Sequence, residues 1–117
     1  MKENIIVDKS YKFAVRIIKL YLFLKKEKNE YELSKQVLRS GTSIGANVEE
    51  AVGGQSRKDF LSKMSIAYKE ARETKYWLWL LYDTNFIDTE LFNSLVNDCE
   101  ELLKIIGKIQ VTMKKNS

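Results

Sequence analysis

This sequence predicts an all-α protein, an up-down-up-down antiparallel four-helix bundle, on three observations. Its 117 residues contain no proline and only five glycines, so the residues that interrupt helices are nearly absent. Apolar residues recur at steps of three and four in four successive stretches. The stretches are separated by short runs of turn-forming residues, and short connections force neighbouring helices to run antiparallel. A single domain over 1–117 is expected, because 44% apolar residues at this length supply one continuous core.

In the first stretch Phe13, Ile17, Leu20 and Leu24 recur at four, three and four, with Ser10 as the N-cap. Ala14, Val15, Ile18, Tyr21, Leu22 and Phe23 are apolar as well, which leaves only a narrow polar strip through Lys12, Arg16, Lys19 and Lys26. A helix this apolar is expected to bury two faces. The second stretch, Glu30 to Val52, turns Leu33, Val37, Ile44, Val48 and Ala51 inward. Gly41 and Gly45 lie one turn apart within it. Each costs about 1 kcal/mol against alanine in a helix interior, so close approach of another backbone is the expected compensation.

Gly53-Gly54 is expected to end that helix through a left-handed cap. Ser56-Arg-Lys-Asp59 has capping-box spacing and opens the third helix. There Phe60, Met64, Ala67, Ala71, Thr74, Leu78 and Leu81 alternate steps of four and three as far as about Tyr82. Asp83-Thr84-Asn85 makes the last connection. Asp88 caps the fourth helix, with Ile87 and Phe92 placed as a hydrophobic staple. Leu95, Cys99, Leu102, Ile106, Ile109 and Met113 form its core stripe.

Charge is modest in total and uneven in distribution. The net charge is +4 and the pI about 9.1. Between Ser10 and Lys28, however, Lys12, Arg16, Lys19, Lys25, Lys26 and Lys28 face Glu27 alone. Those cations form a candidate phosphate-binding stripe, with Lys12, Arg16, Lys19, Lys25 and Lys26 as its contact residues. The opening Met1 to Asp8 has too short an apolar run for a signal peptide, and no uncharged stretch suits a membrane span. A cytoplasmic protein without membrane attachment is expected.

Catalysis finds little support in the residues. The chain has no histidine, which removes the commonest base beside a nucleophile and any Cys/His metal cluster. Cys99 falls on a core position, as a small buried hydrophobe. Glu49-Glu50 and Glu70 with Glu73 are close carboxylate pairs read as surface charge. The glycines match no phosphate-binding loop. No enzyme activity, metal or cofactor is expected.

Two patterns suit binding. In Tyr76-Trp-Leu-Trp-Leu-Leu-Tyr82, Tyr76, Trp77 and Trp79 stand among neighbours that together cover most of a helix circumference. One core cannot hold them all, so the excess meets another subunit, a partner protein or a base. Bulky exposed patches favour the subunit. Arg39, Ser43, Asn47 and Glu50 line one polar ridge beside Gly41 and Gly45. Asparagine is a poor helix-interior residue, which points to a hydrogen-bonded network at a helix or subunit interface.

The stretch from Gln36 to Ala51, followed by Ser56-Arg-Lys-Asp-Phe60, Ile66-Ala67, Lys69-Glu70-Ala71, Glu73-Thr74 and Tyr76-Trp77-Leu78, resembles a known bacterial family. Its members are four-helix bundles first noticed as products of intervening sequences within 23S ribosomal RNA genes. The likeness runs from about Tyr11 to Ile109, around an RxxxSIxxNxxE-type core. The family in turn resembles the accessory protein of diversity-generating retroelements, a basic, barrel-shaped homopentamer that associates with a reverse transcriptase and binds nucleic acid. The resemblance implies a ring-shaped homo-oligomer, a pentamer by that likeness, with RNA or DNA contact and no catalysis. A scaffold for a protein partner is the alternative.

Overall fold

The computed structural model describes residues 4–116, so the opening Met1-Lys-Glu lies outside the described residues. Four helices follow in order: α1 (Ile5–Lys28), α2 (Leu33–Val52), α3 (Arg57–Asp83) and α4 (Thr89–Lys115). They form the expected bundle, with α2 packed between α1 and α3, α3 against α4, and a looser seam between α1 and α4. The core is the inward stripe of each helix: Phe13, Ile17, Leu20 and Leu24; Val37, Ile44, Val48 and Ala51; Met64 to Leu81; Phe92 to Ile106. Leu33, Phe60 and Ile109 are half-buried at its margins. Met113 lies outside the core, on the last turns of α4, where Arg57 Nη1 donates to the Asn116 carbonyl at 2.7 Å.

Three helix ends differ from those the sequence predicts. Ser10 does not cap α1. The cap lies six residues earlier, where Asn4 Oδ1 accepts the Val7 N–H and the first turn carries buried Ile6. Ser10 is itself buried, its hydroxyl donating to the Val7 carbonyl. α2 begins at Leu33, not Glu30. Asn29 turns left-handed at φ 53°, and Glu30 then reaches forward as the cap of the next helix. Its carboxylate accepts the backbone N–H groups of Glu32 at 3.0 Å, Leu33 at 2.9 Å and Ser34 at 2.7 Å. One buried anion thereby satisfies three donors at the positive end of α2.

Gly53-Gly54 does follow α2, but neither glycine is left-handed; Gly53 has φ −83°. Space explains Gly54 better than backbone conformation does. A Cβ there would lie 3.1 Å from the Ala51 carbonyl oxygen and 3.4 Å from Asp59 Cβ. The left-handed positions fall instead to Asn29 and Asn85, a residue type that tolerates them. Ser56 Oγ and Asp88 Oδ1 cap α3 and α4 as expected, accepting from Asp59 and Leu91. Ile87 and Phe92 are both buried, as a staple requires.

The glycines of α2 face α1. A Cβ on Gly41 would stand 2.8 Å from two carbons of Ile17, and one on Gly45 would stand 3.3 Å from the Ser10 carbonyl oxygen. The close approach inferred from the sequence is therefore the α1–α2 contact within one chain.

Candidate functional site

The polar ridge of α2 divides into two parts. Its ends reach α3: Arg39 Nη1 lies 3.2 Å from Glu70 Oε1, Arg39 Nη2 also pairs with Glu73, and Glu50 meets Lys63 at 2.8 Å. Its middle turns back on the helix, with Ser43 Oγ donating to the Arg39 carbonyl and Asn47 Nδ2 to the Ser43 carbonyl at 2.8 Å. Asn47 is half-buried. Glu73 also accepts from Trp77 Nε1 at 2.9 Å. That bond first, and the Arg39 guanidinium second, hold the Glu73 carboxyl below its ordinary range against the opposing cost of burial. Arg39 is shifted upward chiefly by its bond to Glu73. The two carboxylates of α3 thus belong to a bridge between α2 and α3.

The α1 cations are treated unequally. Arg16 Nη1 pairs with Asp98 of α4 at 2.6 Å and Lys12 with Asp8 at 3.2 Å, while neighbouring Lys9 meets Glu101 at 3.2 Å. Lys25 sits over the Tyr21 ring, 3.1 Å from its hydroxyl. Lys19 and Lys26 are exposed and form no ion pair with the described residues. Beside them runs an apolar seam that faces outward: Tyr11, Val15, Ile18 and Leu22, at steps of four, three and four. Tyr11 is 69% exposed and Leu22 55%. Together with Ala14 and with Thr42 and Ala46 of α2, Tyr11 lines a shallow groove between α1 and α2.

Of the aromatic cluster, Trp77 is tucked against Glu73, and Tyr82 stacks on Phe92 with ring centres 4.3 Å apart. Tyr76 and Trp79 are the excess, 57% and 45% exposed. Both are buttressed from behind, Tyr76 edge-on to Trp77 at 5.1 Å and Trp79 edge-on to Phe92 at 4.6 Å.

Sequence reasoning followed the inward heptad of α3 and missed its outward counterpart. Lys58, Ser62, Ser65, Lys69, Arg72, Tyr76 and Trp79 also alternate four and three, and all but half-buried Ser65 are exposed. The signal was legible as a second periodic stripe of opposite chemistry. Among the described residues Lys58, Lys69 and Arg72 form no ion pair.

Cys99 is buried with its thiol 3.2 Å from the Ala71 carbonyl, and burial pushes it up to about 12. It is a protonated core thiol at neutral pH and a poor nucleophile. No cluster of three or more candidate metal ligands occurs among the described residues, and no helix there is long and apolar enough to cross a membrane.

The family model for 23S rRNA-intervening sequence proteins matches residues 2–108. Among solved structures, the chain is similar to a protein of unknown function from the S23 ribosomal protein family of Bacteroides thetaiotaomicron. The two are 54% identical with a TM-score of 0.91, over 94% of this chain and 98% of that one. Among curated proteins nothing matches.

Proposed function

The chain belongs to the family of 23S rRNA-intervening sequence proteins, and from that premise we propose that it is a non-enzymatic, self-associating bundle that presents a repeated basic surface to RNA or DNA in the cytoplasm. The observation that carries the reading is the outward seam of α1. A monomeric helix has no use for Tyr11, Val15, Ile18 and Leu22 at heptad spacing on its solvent side, whereas a second copy laid along the α1–α2 groove would remove them from water. A ring of five is the stoichiometry favoured by the likeness to barrel-shaped homopentamers. The non-catalytic part is supported by the missing histidine, the buried thiol of Cys99 and the engagement of Glu70 and Glu73 by Arg39.

Light scattering at micromolar concentration tests the assembly. The wild-type chain should give a mass well above 13.7 kDa. The double variant Ile18→Glu/Leu22→Glu should fall to the monomer while keeping its helical circular dichroism. A monomeric wild type would overturn the reading. An assembly that retains neither RNA nor DNA would replace its second half with a protein-binding scaffold.

A further inference from the structure

We propose that the outward face of α3 is a binding surface for a single strand of RNA or DNA, with phosphates held by Lys58, Lys69 and Arg72 and bases stacked on Tyr76 and Trp79. This rests on the nucleic-acid part of the function proposed above and moves the contact away from α1.

Four observations support the placement. The stripe from Lys58 to Trp79 carries no carboxylate, and at 1.5 Å per residue it extends for about 32 Å. Of the acids of α3, Glu70 and Glu73 are drawn toward α2 by Arg39, while exposed Asp59 and Asp83 stand at the two ends of the stripe, so its positive potential centres on Lys69 and Arg72. On the adjoining helix Lys104 and Lys108 are exposed, form no ion pair among the described residues, and follow the last carboxylate of α4, Glu101. Ser62 and Ser65 add small hydroxyl-bearing positions between the cations, where a backbone can approach closely.

The two exposed rings decide for a single strand over a duplex. Bases offer their faces to Tyr and Trp only when they are unstacked, and a basic track with aromatic platforms is the recurring answer to that substrate. Phe92 and Trp77 brace the rings from behind, so little side-chain freedom is lost on binding. The surface is also compatible with assembly. α1 and α3 stand diagonally across the bundle with α2 and α4 between them, so a subunit contact along the α1 seam leaves the α3 face open.

Fluorescence anisotropy with labelled RNA and DNA strands of about 20 nucleotides, longer than the ~4–16 that such sites commonly occupy, tests the proposal against a duplex of the same sequence. Each titration is repeated from about 50 mM salt upward. Single strands should bind more tightly than duplex, and the tighter of RNA and DNA names the strand. Lys69→Glu/Arg72→Glu should weaken binding at least about tenfold and flatten the salt slope by about 0.7 per lost contact. Tyr76→Ala should weaken binding about tenfold and leave the slope unchanged, as lost stacking requires. Lys19→Glu/Lys26→Glu on α1 should bind like wild type. All variants are first matched to wild type in helicity and mass. Equal or tighter duplex binding overturns the proposal, as does binding lost in the α1 variant but kept in the α3 variants. Wild-type protein that retains no strand at the lowest salt overturns the nucleic-acid reading itself.

Discussion

The outward faces of α1 and α3 obey the same spacing and carry opposite chemistry. On α1 an apolar seam runs beside cations, and two of those cations, Lys12 and Arg16, are already held by Asp8 and Asp98. On the outward stripe of α3, Lys58, Lys69 and Arg72 form no ion pair among the described residues, and the adjacent Glu70 and Glu73 are engaged by Arg39 instead. A count of lysines and arginines would rank α1 as the basic helix. What matters to a phosphate is charge left uncompensated, and neighbouring helices determine how much remains.

The largest effect expected from perturbing this contrast is at the α1–α2 contact. Gly41→Leu places a side chain where even a Cβ meets Ile17 at 2.8 Å. It should cost about 3 kcal/mol, at the upper end of ordinary overpacking, and lower the melting temperature accordingly. Gly45→Leu should cost less, since its nearest contact is 3.3 Å. Displacing α1 in this way should disturb assembly more than strand binding, if the two faces act separately.

Arg39→Met should have an intermediate effect of two kinds. Removing a half-exposed cation from two carboxylates costs about 1 kcal/mol of stability in urea unfolding, after allowance for solvent screening. It also frees Glu70 and Glu73 beside the α3 stripe, so single-strand affinity should fall without any contact residue having changed. Unaltered affinity would show that the bridge is structural only.

The pH dependence sharpens the same point. The folded Glu73 carboxyl lies below its ordinary value of 4.5, so its ionised form stabilises the fold at neutral pH. That contribution should be lost as pH falls from the ordinary glutamate range through the lower folded value. Urea midpoints at pH 7 and at about pH 3 should therefore separate less in Glu73→Gln than in wild type. The smallest effect is expected at Asn47. Among the described residues its amide answers only the Ser43 carbonyl one turn back, so Asn47→Leu should change stability by about half a kcal/mol. A much larger loss, or a change in mass, would place Asn47 in a subunit contact.

Much of the fold was legible because its causes are local. The inward stripes of α2, α3 and α4, the caps at Ser56 and Asp88 and the staple of Ile87 with Phe92 follow from residues within a turn or two of one another. The errors at helix ends were also local, but they lay in competition. Asn4 accepts the Val7 N–H and starts the helix early enough to include buried Ile6, and Glu30, just past the left-handed Asn29, reaches forward to cap a helix it does not belong to.

By itself the sequence determined the number of helices, their inward faces and the place of the small residues on α2, since helical period and glycine's missing side chain are properties of a single segment. Only the tertiary structure decided which charges remain unpaired. Arg16 finds Asp98 across 82 positions and Arg39 finds Glu73 across 34, and such pairs depend on the register between whole helices. Helical period orders residues along one helix, and does not say what stands opposite each of them once the helices pack.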